Sequence, residues 1–160
     1  MITVVMAIAL LALVVAGGVN YMHPDLGVRT RMTEQIVTDY RVIESAIATY
    51  RIANRGARPT PSSLDATPPS ETWKAELEDF LPAGATLDRQ GFRWAYLADE
   101  TGKRSLCLES PAAASHVLHD AATAAVSKLE EGRATIAADC AGTAYSSSAG
   151  DAFAIVFKLN

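Results

Sequence analysis

The hydrophobic pattern changes character along the chain, and each change predicts a different element. Met1 to Val19 carries no charged residue, and Thr3 is its only polar side chain. A bilayer core roughly 30 Å thick takes about 20 apolar residues in a helix, so this run predicts a transmembrane segment over residues 1–22. From Val28 to Ala53 the apolar positions thin to a stripe. Val28, Met32, Ile36, Tyr40, Ile43, Ile47 and Tyr50 recur at steps of four or three, which draws one face of an amphipathic helix. Arg29, Glu34, Asp39, Arg41 and Arg51 fall largely off that stripe. Between the two segments lies only NYMHPDLG, where Pro24 either kinks one long helix or opens a new one, and Gly27 adds a weak point. A continuous rod of this length would reach about 80 Å. Gly56 lies just past the expected helix end, and Pro59 and Pro61 prevent continuation.

Beyond the helix, RGARPTPSSLDATPPSE reads as an extended surface loop. ETWKAELEDFL is a short helix with Trp73, Leu77, Phe80 and Leu81 on one side, Trp73 being expected as a lid on the core. GFRWAYLADETGKRSLCLES alternates Phe92, Trp94 and Tyr96 with Arg93, Ala95 and Leu97, turns at DETG, and returns through Leu106 and Leu108 as a β-hairpin. SPAAASHVLHDAATAAVSKLEEG predicts a further helix, capped by Ser110, with Pro111 at its first position and Gly132 at its stop. ATIAADC predicts a short strand, and AFAIVFKL alternates well enough for a terminal one. The expected fold class is therefore α+β. Residues 1–22 form the membrane helix, 23–56 the amphipathic helix, and 57–160 a head with a small antiparallel sheet and one further helix.

Charge narrows the partners. The chain has 14 Lys and Arg against 18 Asp and Glu, a net −4, and every charge lies from Asp25 onward. That balance gives no basic footprint for nucleic acid and no general attraction to an anionic membrane surface. The first cations are Arg29 and Arg31, so the positive-inside rule read literally leaves the head in the cytoplasm. A basic leader already removed before Met1 would leave orientation open. The missing basic n-region and the length of the apolar run favour a retained anchor over a signal peptide. Val15, Ala16, Gly17 and Gly18 still offer small residues for cleavage, which is the alternative of an exported soluble binding protein. Ala12 and Ala16 have small-xxx-small spacing and, with Gly17 and Gly18, are candidates for helix packing in lipid; ordinary alanine content in a lone anchor is the alternative.

Candidate chemistry is sparse. Cys107 and Cys140 lack CxxC spacing; in the periplasm they predict a disulfide closing a loop of about 34 residues, and in the cytoplasm two buried thiols. His116 and His119, three apart on a helix, are candidate metal ligands for a membrane-tethered periplasmic metal-dependent hydrolase, but the usual hydrolase pair is four apart with a glutamate between. Nothing local marks Cys107 as a thiolate activated by one of these histidines. Glu76, Glu78, Asp79, Glu130 and Glu131 read as solvated helix faces. The chain has no GxSxG, no phosphate-cradling glycine loop and no Rossmann fingerprint. The expectation is a non-enzymatic protein with no cofactor and no metal.

The order of an apolar helix, an amphipathic helix and a small antiparallel sheet resembles the lollipop plan of type IV pilins and type II secretion pseudopilins. DYRVIESAIATYRIANRGARPTPSSL carries the resemblance furthest, through Ile43, Ala46, Ile47, Tyr50, Gly56, Pro59, Pro61 and Leu64. Cys107 after the hairpin and Cys140 near the carboxyl end resemble the disulfide-bounded region of pilins. The chain departs from main-fibre pilins at Val5, where they carry a glutamate, and has no acid before Asp25. The resemblance thus implies a minor pilin-like component, or an uncleaved PilM-type inner-membrane assembly protein of type IVb pilus systems. Either would be single-pass in the bacterial inner membrane with its head in the periplasm. Its partners would be membrane lipid, other pilus or secretion assembly proteins, and copies of itself.

Overall fold

The computed structural model describes residues 24–63, 71–85, 87–88, 91–111, 114–145 and 151–159. Helix α1 (Pro24–Ala53) is followed by α2 (Thr72–Leu77), which runs into a 3-10 turn at Glu78–Phe80. Strands β1 (Arg93–Ala98) and β2 (Arg104–Glu109), helix α3 (His116–Ser127), and strands β3 (Ala134–Ala137) and β4 (Ala154–Lys158) complete the order. The four strands form an antiparallel sheet in the order β1-β2-β4-β3. The fold is α+β, with three α-helices among the described residues. No helix of the described residues is long and apolar enough to cross a membrane, and the segment 1–22 lies outside them.

Period-2 alternation sets which face of the sheet is covered by helix. Phe92, Trp94, Tyr96, Leu106, Leu108, Ile155 and Phe157 share one buried core with Met32, Ile36, Tyr40, Ile43 and Ile47 of α1. Tyr40 stacks on Phe157 with ring centroids 4.6 Å apart, and Trp94 lies 5.3 Å from Phe157 on another side. Trp73 and Leu77 close this core from α2, as the sequence expects of Trp73. The alanine-rich face of α3 buries Ala121, Ala122 and Ala125 beside α1, and the Thr33 hydroxyl lies 3.2 Å from the carbonyl oxygen of Ala121 and 2.9 Å from that of Arg29. Small side chains on α3 let this polar contact form inside the core. Thr33, Val37 and Ala46 are buried along with Met32, Ile36, Tyr40, Ile43 and Ile47 of the expected stripe.

Three local expectations need correction. Val28, the first residue of the expected stripe, is 49% exposed, because the head covers α1 only from Met32 onward. Helix α3 starts at His116 and not near Pro111: its cap is Ser115, whose hydroxyl accepts from Leu118 N–H at 3.4 Å. Ser110 instead ties β2 to the chain entering β4, donating its N–H to the Phe153 carbonyl and accepting the Phe153 N–H on its hydroxyl at 2.8 Å. The helix stops at Ser127, and Gly132, with φ +77°, turns the chain into β3. At the end of α1, Arg55 takes the left-handed conformation (φ 52°) ahead of Gly56, whose N–H closes back on the Arg51 carbonyl at 2.7 Å.

The loop after α1 is less free than its composition predicts. Pro59 is fully buried, and Ser62 donates its N–H to the Tyr96 carbonyl at 2.6 Å. Asp88 accepts the Trp94 N–H at 3.0 Å on the same outer edge of β1. These contacts occupy backbone groups that an edge strand otherwise offers to another chain. Leu64, part of the expected pilin-like pattern, lies outside the described residues.

Candidate functional site

The face of the sheet away from the helices is closed by the disulfide. Cys107 of β2 and Cys140, in the chain after β3, are bonded, with Cα atoms 5.6 Å apart. Around them Ala95, Leu97 and Ala154 form a second buried cluster, with Val156 packed against it. Alternation correctly places Ala95 and Leu97 opposite the aromatic residues, but a cover contributed by chain more than thirty residues away has no local signal. Cys107 is fully buried in the bridge, so the thiolate pairing with a histidine considered above is not available to it.

The histidines part company on the helix. His116 is exposed, whereas His119 stacks on Tyr145 at 5.4 Å and meets Phe153 edge-on at 5.6 Å. Among the described residues no group of three His, Cys, Asp or Glu side chains is placed to hold a metal. Several acids do structural work. Glu76 accepts the N–H and hydroxyl of Thr60, both at 2.7 Å, tying α2 to the loop after α1. Glu109 pairs with Arg93 across the hairpin, and Lys74 pairs with both Glu71 and Asp88. Glu78, Asp79, Glu130 and Glu131 are exposed, as expected for solvated faces.

Two exposed aspartates lock turns. Asp99 accepts the N–H groups of Thr101 and Lys103 and the Thr101 hydroxyl, which holds its carboxyl below the usual range. Asp139 accepts the Thr143 hydroxyl and N–H beside Cys140, with the same effect. Tyr40 shifts the other way. Burial, with the neighbouring Glu44 carboxylate to which its hydroxyl donates at 3.0 Å, pushes its pKa up to about 12. An unfolded tyrosine ionises near pH 10. The contribution of protonated Tyr40 to stability is thus fully present below about pH 10 and lost as the pH rises towards 12. Alkaline titration of phenolate absorbance is expected to show a late-ionising tyrosine that disappears in Tyr40→Phe, and the variant should lose less stability across that interval. Ionisation of every tyrosine near pH 10 would contradict this.

The surface most unlike a closed head is the start of α1. From Asp25 to Arg31 only Arg29 is partly covered, and Leu26 and Val28 are 54% and 49% exposed. The helix then enters the core at Met32. The start of the helix, through Val28, stands clear of the head, which it first meets at Arg29 through the ion pair with Asp120. Sequence periodicity missed this because the stripe continues through Val28 while the head it packs on does not. The packing candidates Ala12, Ala16, Gly17 and Gly18 lie outside the described residues. Compared with known proteins, the chain matches no family model, no curated protein and no solved structure.

Proposed function

We propose that this chain is a non-enzymatic component of type IV pilus or related type II secretion biogenesis. It acts as a minor pilin-like or inner-membrane assembly protein, anchored by residues 1–22 with its head in the periplasm. The observation that carries the reading is the exposed start of α1. A helix whose start leaves the head with Leu26 and Val28 uncovered, a few residues after a charge-free apolar run, fits a stalk between two environments. The amphipathic helix lying on an antiparallel sheet fits the pilin-like plan. The Cys107–Cys140 bridge fits an oxidising compartment. In this role the anchor fixes position, the stalk meets partner helices in or near the bilayer, and the head presents a recognition surface.

The test is genetic. Deleting the gene in its own bacterium is expected to abolish or sharply reduce surface pili or secretion by the associated machine. The wild-type gene should restore assembly. Leu26→Asp with Val28→Asp, which leaves the head core untouched, should restore it poorly. Normal assembly in the deletion strain would refute the reading.

A further inference from the structure

At the other end of α1, cations gather from two segments of the chain. The stretch RIANRGAR, residues 51–58, holds three arginines and no acid, and Lys103 and Arg104 follow the turn between β1 and β2. The fold brings these segments together. The Arg58 guanidinium donates to the Gly102 carbonyl at 3.4 Å, and the Arg104 guanidinium sits 5.9 Å above the Tyr96 ring. Tyr96 is almost fully buried; burial raises its pKa, and the charges of Arg104, Arg58 and Arg51 pull it back down.

Several cations elsewhere on the head are paired: Arg29 with Asp120, Arg93 with Glu109, Lys128 with Glu34, and Arg133 with Glu44. Among the described residues, none of Arg51, Arg55, Arg58, Lys103 and Arg104 makes an ion pair. Of the two acids in the hairpin turn, Asp99 is committed to its own turn, which leaves Glu100. The Nε atoms of Arg51 and Arg104 are buried with no hydrogen-bond acceptor. Like charges close together are unfavourable, and carboxylates supplied from outside relieve that repulsion. Arg55 adds strain, since it adopts a left-handed conformation that glycine takes more easily. Next to Arg51 in the sequence, Ile52 is 82% exposed, an apolar contact of no use to a free inorganic anion and useful to a peptide.

We infer that Arg51, Arg55, Arg58, Lys103 and Arg104, with Ile52, form a docking surface for an acidic segment of a protein partner. Glutamate or aspartate carboxylates engage the guanidinium groups and an apolar side chain of the partner covers Ile52. In a chain of net −4 this local reversal of sign also steers such a partner to one end of the head.

The full-length protein in uncharged detergent micelles is titrated into a fluorescent glutamate-rich peptide carrying one leucine, with anisotropy as the readout. Saturable binding that weakens as salt is raised is expected. The triple variant Arg55→Gln, Arg58→Gln, Lys103→Gln should bind about tenfold more weakly or worse. These three side chains are exposed, so the fold does not depend on them, and circular dichroism of the variant should match wild type. Arg31→Gln, Arg41→Gln, Lys158→Gln removes the same charge elsewhere and should bind as wild type does. Absence of binding at low salt would overturn the inference, as would equal loss in both triple variants. Full displacement of the peptide by inorganic phosphate, or tighter binding to anionic phospholipid vesicles than to the peptide, would also overturn it. The measurement uses purified protein, so it stands apart from the deletion experiment above.

Discussion

Replacing both cysteines, Cys107→Ala with Cys140→Ala, is expected to destabilise the head by roughly 3–4 kcal/mol. The bridge joins residues 33 apart in sequence and so closes a long loop of the unfolded chain. Losing it returns that loop's entropy to the unfolded state, and the cost grows with the logarithm of loop length. The native state loses as well. Cys107 lies on central strand β2, and the chain around Cys140 is what covers Ala95, Leu97 and Ala154. Without the bond, that cover is held by the Ala137–Ala144 bridge and the Asp139 turn. Urea unfolding of the full-length protein in micelles, with and without the substitutions, measures the difference. A shift below about 1 kcal/mol would show that the cover holds without its covalent tie.

Phe157→Ala is the second large effect, expected to cost about 3–5 kcal/mol. Phe157 is fully buried on β4, stacked on Tyr40 of α1 and within 5.3 Å of Trp94 of β1. One ring thus joins the helix to two strands. Truncating it leaves a void walled by other aromatic rings, which cannot collapse without moving the sheet away from α1. A double-mutant cycle with Tyr40→Ala should show a coupling of about 0.5–1.5 kcal/mol beyond simple burial. Val156→Ala, one residue earlier and on the opposite face, should cost clearly less, because Val156 is only partly buried beside the disulfide. Equal costs at the two positions would contradict the assignment of faces.

The legible part of this fold is what repeats locally. The hairpin, the terminal strand and the α1 stripe follow from periods of two and 3.6, and Phe92, Trp94, Tyr96, Ile155 and Phe157 face the helix as their alternation requires. The disulfide was one of two readings left open by the sequence, the other being two buried thiols, and the bond present decides between them; Trp73 was legible through its place on a short amphipathic turn. What depends on a distant partner was not. Ser110 and Ser115 are equally good caps by type, and only the chain before β4, which engages Ser110, decides between them. Val28 keeps the helical rhythm, but rhythm cannot say where the covering sheet ends. The basic surface escaped notice for the same reason: RIANRGAR and Lys103–Arg104 are unremarkable apart and meet only once Arg58 reaches Gly102.

The central claim is that the apolar run remains part of the working protein, as an anchor below a projecting stalk. The most direct measurement is mass spectrometry of the amino-terminal peptide of mature protein, recovered separately from membrane and soluble fractions of the cells that make it. The account predicts membrane-bound protein whose amino-terminal peptide still contains Met1 to Val19. An N-methylated Met1 would mark a processed minor pilin, and an unmethylated one a permanent assembly anchor. Soluble mature protein beginning after Gly17 or Gly18 would contradict the account and leave an exported binding protein in its place.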